Sequence, residues 1–183
     1  VVRHLINNLN CAVVNVDKLT YAGNLSSLSS VDQNPLYSFE YADINDRSVI
    51  TVILDQHQPD AIMHLAAESH VDRSIDGSER FVTTNCVGTN TLCDLAGQME
   101  IERFVHVSTD ETYGSTKRGS FTEQDKLAPS SPYSASKAAS DLIAMGHHIT
   151  HGLPVIVTRS SNNYGPFQFP EKLIPLFVTN LLD

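Results

Sequence analysis

Tyr133 and Lys137 are two residues of this sequence whose types and spacing could take part in an oxidation. On a helix, side chains at this spacing share one face, where an ammonium group can lower the pKa of a phenol. Such a phenol can take a proton from an alcohol, which is the proton-transfer half of alcohol oxidation. Pro132 directly precedes the tyrosine and favours a helix that begins there. The alternative interpretation is an ordinary polar pair on a helix surface.

An adjacent pair of acids, Asp110 and Glu111, follows Ser108 and Thr109 at the predicted end of a strand. Two neighbouring carboxyl groups in a closed pocket resist ionising together, so one can donate a proton while the other removes one. That combination can remove water from a carbon framework. Ser108 could bond the same substrate hydroxyl as the tyrosine. Charge alone does not assign the roles of the two acids, and a solvated loop pair is the alternative.

Short β-branched runs alternate with longer helical patterns along the chain, which is typical of a parallel sheet flanked by helices. Strands are predicted at 11–16, 36–41, 61–65, 103–108 and 154–158, and helices at 1–9, 45–57, 77–98, from 131 and at 173–182. Polar residues follow the strands, at the edge where open parallel sheets bind ligands. The predicted fold class is α/β, a doubly wound parallel sheet of the Rossmann-like type.

Asp17 ends the first predicted strand, which corresponds to the second strand of a dinucleotide-binding fold. An acid at this position bonds the adenosine ribose, and its charge repels a 2′-phosphate, so it favours NAD over NADP. A loop aspartate in a turn with Lys18 is the alternative. No G-x-G-x-x-G sequence precedes Asp17, so we expect the first strand and the glycine-rich loop of this fold to be missing.

The composition is that of an ordinary globular protein, and 183 residues fit one domain. The net charge of −9 argues against a nucleic-acid partner or a membrane surface, because both attract basic patches. The apolar runs are all well short of the ~20 residues that span a bilayer, and the sequence does not open on a charged-then-apolar leader. We therefore expect a cytoplasmic protein without a membrane partner.

The spacing of the cysteines and histidines predicts no metal site. The cysteines are odd in number and lack metal-site spacing, which fits a reducing compartment. They are Cys11, Cys86 and Cys93. Three histidines near one predicted helix end have a spacing that could bind a metal, but an acidic third ligand is not evident nearby. For His147, His148 and His151 the sequence therefore predicts a solvated helix end.

The motifs resemble those of the extended short-chain dehydrogenase/reductase superfamily, and more narrowly of the dTDP-glucose 4,6-dehydratases. The matching segments are residues 16–24, 64–74, 108–111, 133–137, 159–166 and 170–175. Thr112 departs from the pattern, because the family usually has valine there. The resemblance implies a partial NAD-binding Rossmann domain over residues 1–183 that includes the catalytic segment, with most of the C-terminal substrate domain absent. The chain by itself is therefore expected to be inactive.

By this resemblance the substrate would be a nucleoside-diphosphate glucose, most naturally dTDP-glucose, and the product the 4-keto-6-deoxy sugar. Tyr133 would take the proton of the 4-hydroxyl while hydride moves from carbon 4 to NAD, and Thr109 would bond the developing carbonyl oxygen. Glu111 would then remove the proton at carbon 5 while Asp110 protonates the hydroxyl that leaves carbon 6. The reduced cofactor would return its hydride to carbon 6. This order is physically reasonable, because a ketone at carbon 4 acidifies the neighbouring proton.

The resemblance also assigns site residues by motif position. The catalytic residues would be Thr109, Asp110, Glu111, Tyr133 and Lys137. The cofactor would be bound by Asp17, Lys18, Leu19, Thr20, Asp43, Ile44, Leu65, Ala66, Ala67, Thr84, Ser108, Tyr133, Lys137 and Asn163. The nucleotide sugar would be bound by Ser69, Thr109, Asn162, Lys172 and Leu173.

Two alternatives stay open at this point. A nucleotide-sugar 4-epimerase, or another nucleotide-sugar enzyme of the superfamily, would share Tyr133 and Lys137, although an epimerase has no need for the acid pair. A non-catalytic dinucleotide-binding module is the alternative from another class. The long helices predicted from about 77 and 131 could form a four-helix interface, so we expect a homodimer for the full-length protein.

Overall fold

The computed structural model describes residues 1–182, and their contacts divide the chain into two compact units. The first unit comprises residues 1–43 and the chain from Asn162 onward, and the second comprises Ile44–Ser161. Each unit contains parallel strands and helices. The predicted α/β, Rossmann-like fold class is confirmed.

The first unit has a two-stranded parallel sheet. Strand β1, Val13–Asp17, pairs with β2, Tyr37–Tyr41, in a register that places Asp17 beside Tyr41. The helices of this unit are α1, Val2–Leu9, and α7, Leu173–Leu182. Because parallel strands end at the same edge, the polar residues that follow β1 and β2 lie close together.

The second unit has a three-stranded parallel sheet in the order β3-β4-β5. The strands are β3, Ala61–His64, β4, Arg103–Thr109, and β5, Val155–Ser160. Alternate residues of β4 are buried, and they are Phe104, His106 and Ser108. Strand β5 runs through Ser160, beyond the predicted end at residue 158, because its ladder with β4 continues to Thr109.

Helix α6, Pro132–His151, begins where the sequence predicts. The Ser131 side chain accepts from the amide of Ser134, whose hydroxyl in turn accepts from the amide of Ser131. Such a cap contributes about 1 kcal/mol to helix stability. The helix ends at Gly152, which has a φ of 73° that suits glycine. Residues at intervals of four along α6 are buried, and they include Tyr133, Lys137 and Asp141.

The predicted helix over 77–98 is confirmed as a continuous helical stretch over residues 79–98, but the stretch contains a turn of another type. It consists of helix α4, Glu79–Val82, a π-helical turn, Thr83–Gly88, and helix α5, Thr89–Gln98. A short helix that the sequence did not predict, α3, Val71–Asp76, precedes them. A π turn adds one residue without ending the helix, so a helical sequence pattern alone does not reveal it. Helix α2, Arg47–His57, lies in the predicted range and is capped by the Asp46 side chain.

The cysteines and clustered histidines have ordinary structural surroundings. All three cysteines are free thiols, and burial raises the pKa of Cys93 to about 12. His147 Nε2 lies 3.2 Å from Asn90 Oδ1, and His148 Nδ1 lies 2.8 Å from the Leu153 carbonyl oxygen. Within residues 1–182, none of the helices combines the length and the apolar character needed to cross a membrane.

Candidate active site

The acid pair lies on a short 3-10 turn, Asp110–Tyr113, that follows β4 directly. Thr109 Oγ1 accepts from the amide of Glu111 at 3.2 Å and caps the turn. Thr112 is fully buried, and its hydroxyl donates to the Thr109 carbonyl oxygen at 2.9 Å. The hydroxyl at this position is therefore satisfied within the turn, so the departure from valine leaves no buried donor unpaired.

Tyr133 lies in the first turn of α6 and is largely buried. Its amide donates to Ser74 Oγ at 3.1 Å, and its ring meets the Phe81 ring edge-on with centroids 6.4 Å apart. Burial raises the pKa of Tyr133 to about 12, the charges of Glu111 and Asp110 raise it too, and a hydrogen bond with Thr109 lowers it. The structure therefore brings the phenol within interaction range of the acid-bearing turn.

Lys137 is buried beneath the same face of α6, where its Nζ donates to the Val107 carbonyl oxygen at 2.9 Å. Burial lowers the pKa of Lys137 to about 8, while the charge of Asp141 and the thiol of Cys86 act in the opposite direction. The lowered phenol pKa that the spacing predicts is not found, since the pKa of Tyr133 is raised. The physical reason is that burial disfavours the phenolate and the charges of Glu111 and Asp110 act in the same direction, while the Lys137 ammonium donates to the Val107 carbonyl oxygen.

The loop after β3 holds several predicted cofactor and substrate residues of the second unit. Leu65, Ala66 and Ser69 are exposed in this loop, and Ala67 is half-buried. Elsewhere in this unit Ile44, Thr84 and Ser108 are buried. Within residues 1–182 the buried Ser108 hydroxyl has no hydrogen-bond partner, but the Ser108 side chain helps to lower the pKa of Asp141.

Asn85 is a site residue that the sequence analysis missed. It lies on the π-helical turn and is 1% exposed. Its Oδ1 accepts from the Glu68 amide at 2.9 Å, and its Nδ2 donates to the Glu68 carbonyl oxygen at 3.0 Å and to Ser136 Oγ at 2.9 Å. Asn85 therefore joins the loop after β3 to α6 between Tyr133 and Lys137. The sequence offered no clear signal for it, because Asn85 follows two threonines and does not stand out as a polar residue in an apolar run.

The remaining predicted residues lie in the first unit. Asp17 is exposed at the end of β1, and its Oδ1 accepts from the Leu19 amide at 2.7 Å. Leu19 has a φ of 49°, and Lys18 Nζ lies 3.1 Å from Asp43 Oδ2. Thr20, Asn162, Asn163 and Leu173 are exposed, and Lys172 is half-buried. The structure thus brings Asp17, Lys18 and Asp43 together at one edge of the two-stranded sheet.

Gly114 closes the acid-bearing turn, and its replacement by alanine is expected to destabilise the fold. Its φ is 83°, and an added Cβ would collide with the Ala128 carbonyl oxygen. We expect Gly114→Ala to lower the free energy of unfolding of the full-length protein by about 3 kcal/mol, measured by chemical denaturation. Gly119→Ala is the matched control, because Gly119 has a φ of 79° but open space around it. Equal losses for the two variants would contradict the predicted collision.

Comparison with known proteins identifies the family. A family model described as GDP-mannose 4,6 dehydratase matches residues 1–183. The chain belongs to this family. Its relatives include a dTDP-glucose 4,6-dehydratase of Neisseria meningitidis that is 56% identical, over the whole of this chain and 55% of the relative. The chain therefore spans about half the length of the curated relatives it matches.

Solved structures of family members agree with the fold. DesIV, a dTDP-glucose 4,6-dehydratase from Streptomyces venezuelae crystallised with NAD, has a TM-score of 0.95 and 52% identity, covering 99% of this chain and 57% of DesIV. A UDP-glucuronic acid 4-epimerase from Bacillus cereus has a TM-score of 0.89 but 25% identity, covering 98% of this chain and 58% of the epimerase. The predicted resemblance to dTDP-glucose 4,6-dehydratases is confirmed by these identities.

Proposed function

We propose that the full-length protein containing this chain is a dTDP-glucose 4,6-dehydratase that forms the 4-keto-6-deoxy sugar. The observation that carries the proposal is the position of Asp110 and Glu111 on the turn directly after β4, where their charges act on Tyr133. Oxidation requires a base at the hydroxyl, and water loss requires an acid and a second base nearby. An epimerase needs only the base at the hydroxyl. The 52% identity to DesIV, compared with 25% identity to the epimerase, supports dehydration.

The residues at the end of β1 fit NAD as the cofactor. Asp17 presents an exposed carboxylate at the edge of a parallel sheet, where a ribose diol can be bonded. When bound, NAD would accept the hydride from carbon 4 and return it to carbon 6. We propose that the cofactor residues are those that the motifs predict, with Lys18, Leu19, Thr20 and Asp43 beside Asp17. The others are Ile44, Leu65, Ala66, Ala67, Thr84, Ser108, Tyr133, Lys137 and Asn163.

Tyr133 is proposed to take the proton of the 4-hydroxyl. Its raised pKa makes the phenolate scarce in the resting chain but strongly basic when it forms. Lys137 follows on the same buried face of α6, and we propose that its ammonium stabilises the phenolate once substrate is bound. Thr109, whose side chain lowers the pKa of the phenol, would then bond the developing carbonyl oxygen at carbon 4.

The acid pair is proposed to carry out the loss of water. Glu111 would remove the proton at carbon 5, which the ketone at carbon 4 has acidified, and would return a proton to carbon 5 when the hydride reaches carbon 6. Asp110 would donate a proton to the hydroxyl that leaves carbon 6. Both side chains are half-buried on the turn, which limits the water that competes for their protons. The nucleotide sugar would be held by Ser69, Thr109, Asn162, Lys172 and Leu173.

We also propose the domain organisation, the location and the oligomeric state of the full-length protein. Residues 1–183 would form part of one NAD-binding domain, with a substrate domain contributed by the rest of the protein. A cytoplasmic homodimer is proposed, and exposed apolar residues on the long helices support it. These are Val87, Leu142 and Ile149, which are 50%, 64% and 79% exposed.

Product analysis of the full-length protein tests the proposal directly. Incubation with dTDP-glucose and NAD should give the 4-keto-6-deoxy product, identified by nuclear magnetic resonance. Formation of dTDP-galactose would support epimerisation and overturn the proposal. Binding of NAD without turnover would instead support a non-catalytic module.

A substitution at Asp17 should change the cofactor preference. Asp17→Asn keeps an oxygen for the Leu19 amide but removes the charge that repels a 2′-phosphate. We expect the dissociation constant for NAD to rise about tenfold and that for NADP to fall, both measured by calorimetry. Asp32→Asn, an exposed aspartate of the same unit, is the control. An unchanged preference would count against the assigned role of Asp17.

A further inference from the structure

The Arg159 side chain lies between the acid-bearing turn and α6. Arg159 belongs to β5, where it pairs with Ser108 of β4. Its Nε donates to Asp141 Oδ2 at 2.7 Å, and its Nη1 donates to the Tyr113 hydroxyl at 2.8 Å. The guanidinium carbon also lies 5.0 Å from the centroid of the Tyr113 ring. One side chain therefore contacts both the last residue of the acid-bearing turn and the helix that carries Tyr133.

The contact with α6 is strongly anchored because Asp141 is a buried carboxylate. Its side chain is 0% exposed, and Oδ1 lies 3.2 Å from His106 Nε2. Burial alone would raise the pKa of Asp141, but interactions with His106, Ser108 and Arg159 hold it below its ordinary value. Burial lowers the pKa of His106, so Arg159 supplies the positive charge that pairs with this carboxylate. Removal of such a partner leaves an uncompensated buried charge.

Arg159 contacts the acid-bearing turn at Tyr113. Tyr113 is the last residue of the turn that carries Asp110 and Glu111, and it is 8% exposed. Its ring stacks on Phe121 with centroids 5.2 Å apart, and the Ala128 amide donates to the Thr112 carbonyl oxygen at 3.0 Å. These two contacts tie the turn to the loop that follows it. The Tyr113 hydroxyl and ring both contact Arg159, which connects the turn to α6 through Asp141.

We propose that Arg159 is a positioning residue that holds the acid-bearing turn at a fixed place relative to Tyr133, through Asp141 and the Tyr113 hydroxyl. The proposal rests on the proposed function, in which the acids act on a sugar that Tyr133 has oxidised. A displacement of about 1 Å can cost roughly 100-fold in rate. Water loss should therefore depend on this arrangement more than the first oxidation does. The planar guanidinium provides two directed donors, which an ammonium group does not.

Tyr113→Phe in the full-length protein tests the proposal, because it removes the hydroxyl and keeps the stacked ring. In single turnovers, we expect the formation of reduced cofactor to stay within about twofold of the parent and the elimination to slow about tenfold. Reduced nicotinamide should then accumulate, which its absorbance detects. Equal slowing of both steps, or an unchanged elimination, would overturn the proposal. Tyr37→Phe is the matched control, because it removes a hydroxyl bonded to Asn15 Nδ2 at 3.2 Å.

Amide hydrogen exchange provides a readout that does not require the reaction. We expect exchange over residues 109–114 to become about tenfold faster in Tyr113→Phe and to stay unchanged in Tyr37→Phe. Unchanged exchange over 109–114 would overturn the positioning role. If the parent forms no 4-keto-6-deoxy product, the proposed function fails, while the exchange result still decides whether the contact holds the turn.

Arg159→Lys is a second variant, which keeps the positive charge and loses the forked donors. We expect it to slow the elimination at least as much as Tyr113→Phe does. An elimination rate equal to that of the parent would overturn the proposal. If Arg159→Lys does not fold, Tyr113→Phe decides the outcome, since that substitution retains the buried ring and the charge pair.

Discussion

Replacement of Tyr133 by phenylalanine in the full-length protein is expected to slow the first oxidation of dTDP-glucose by about 10³-fold. The ring would keep its buried position against Phe81, so the loss reports the hydroxyl rather than the packing. Without a base, the 4-hydroxyl proton has no acceptor while the carbonyl forms. The rate of cofactor reduction in a single turnover, followed by the absorbance of reduced nicotinamide, measures the effect.

The control for this substitution is Tyr41→Phe, because Tyr41 is 70% exposed and lies at the end of β2. We expect Tyr41→Phe to oxidise the substrate at the parental rate. Full dehydration activity in Tyr133→Phe would refute the proposed role of the phenol.

Replacement of Glu111 by glutamine is expected to leave the first oxidation intact and to slow water loss by about 10³-fold. An amide cannot remove the carbon 5 proton, whereas the 4-hydroxyl is served by Tyr133. The variant should therefore accumulate reduced cofactor with the 4-keto sugar. Incorporation of solvent deuterium at carbon 5, measured by nuclear magnetic resonance, should fall with the elimination rate.

Loss of the Glu111 charge should also affect Tyr133, since that carboxylate raises the phenol pKa. Without the charge of Glu111, the pKa of Tyr133 falls. The pH at which the oxidation rate reaches half its maximum should therefore move down. Glu123→Gln, an exposed acid in the following loop, is the control and should change neither quantity. A parental rate of water loss in Glu111→Gln would contradict the proposed role of Glu111.

Local patterns in the sequence were sufficient for most elements of the fold. The start of α6 was predicted because Ser131 and Pro132 form a cap that depends only on adjacent residues. The π-helical turn at Thr83–Gly88 was not predicted, because a helix continues through such a turn and the sequence shows only that the segment is helical. Helix α3 was missed since its polar sequence resembles a loop, and the His70 side chain that caps it is an uncommon signal.

The candidate site was predicted in part. Motifs identified Tyr133, Lys137 and the acid pair, because their chemistry is visible in short runs of sequence. Their electrostatic surroundings were not predictable, and the pKa of Tyr133 is raised where the spacing predicted a lower value. Asn85 was also missed, because its partners Glu68 and Ser136 lie 17 and 51 residues away.

The sequence by itself determined the order of strands and helices and the residues able to do chemistry, since both depend on neighbours along the chain. Only the tertiary structure decided how the acid-bearing turn is held. Arg159 lies 46 residues from Tyr113 and 18 from Asp141, and no local pattern joins them. Burial of the Asp141 carboxylate requires a cation, and packing of β5 against α6 determines which side chain supplies it.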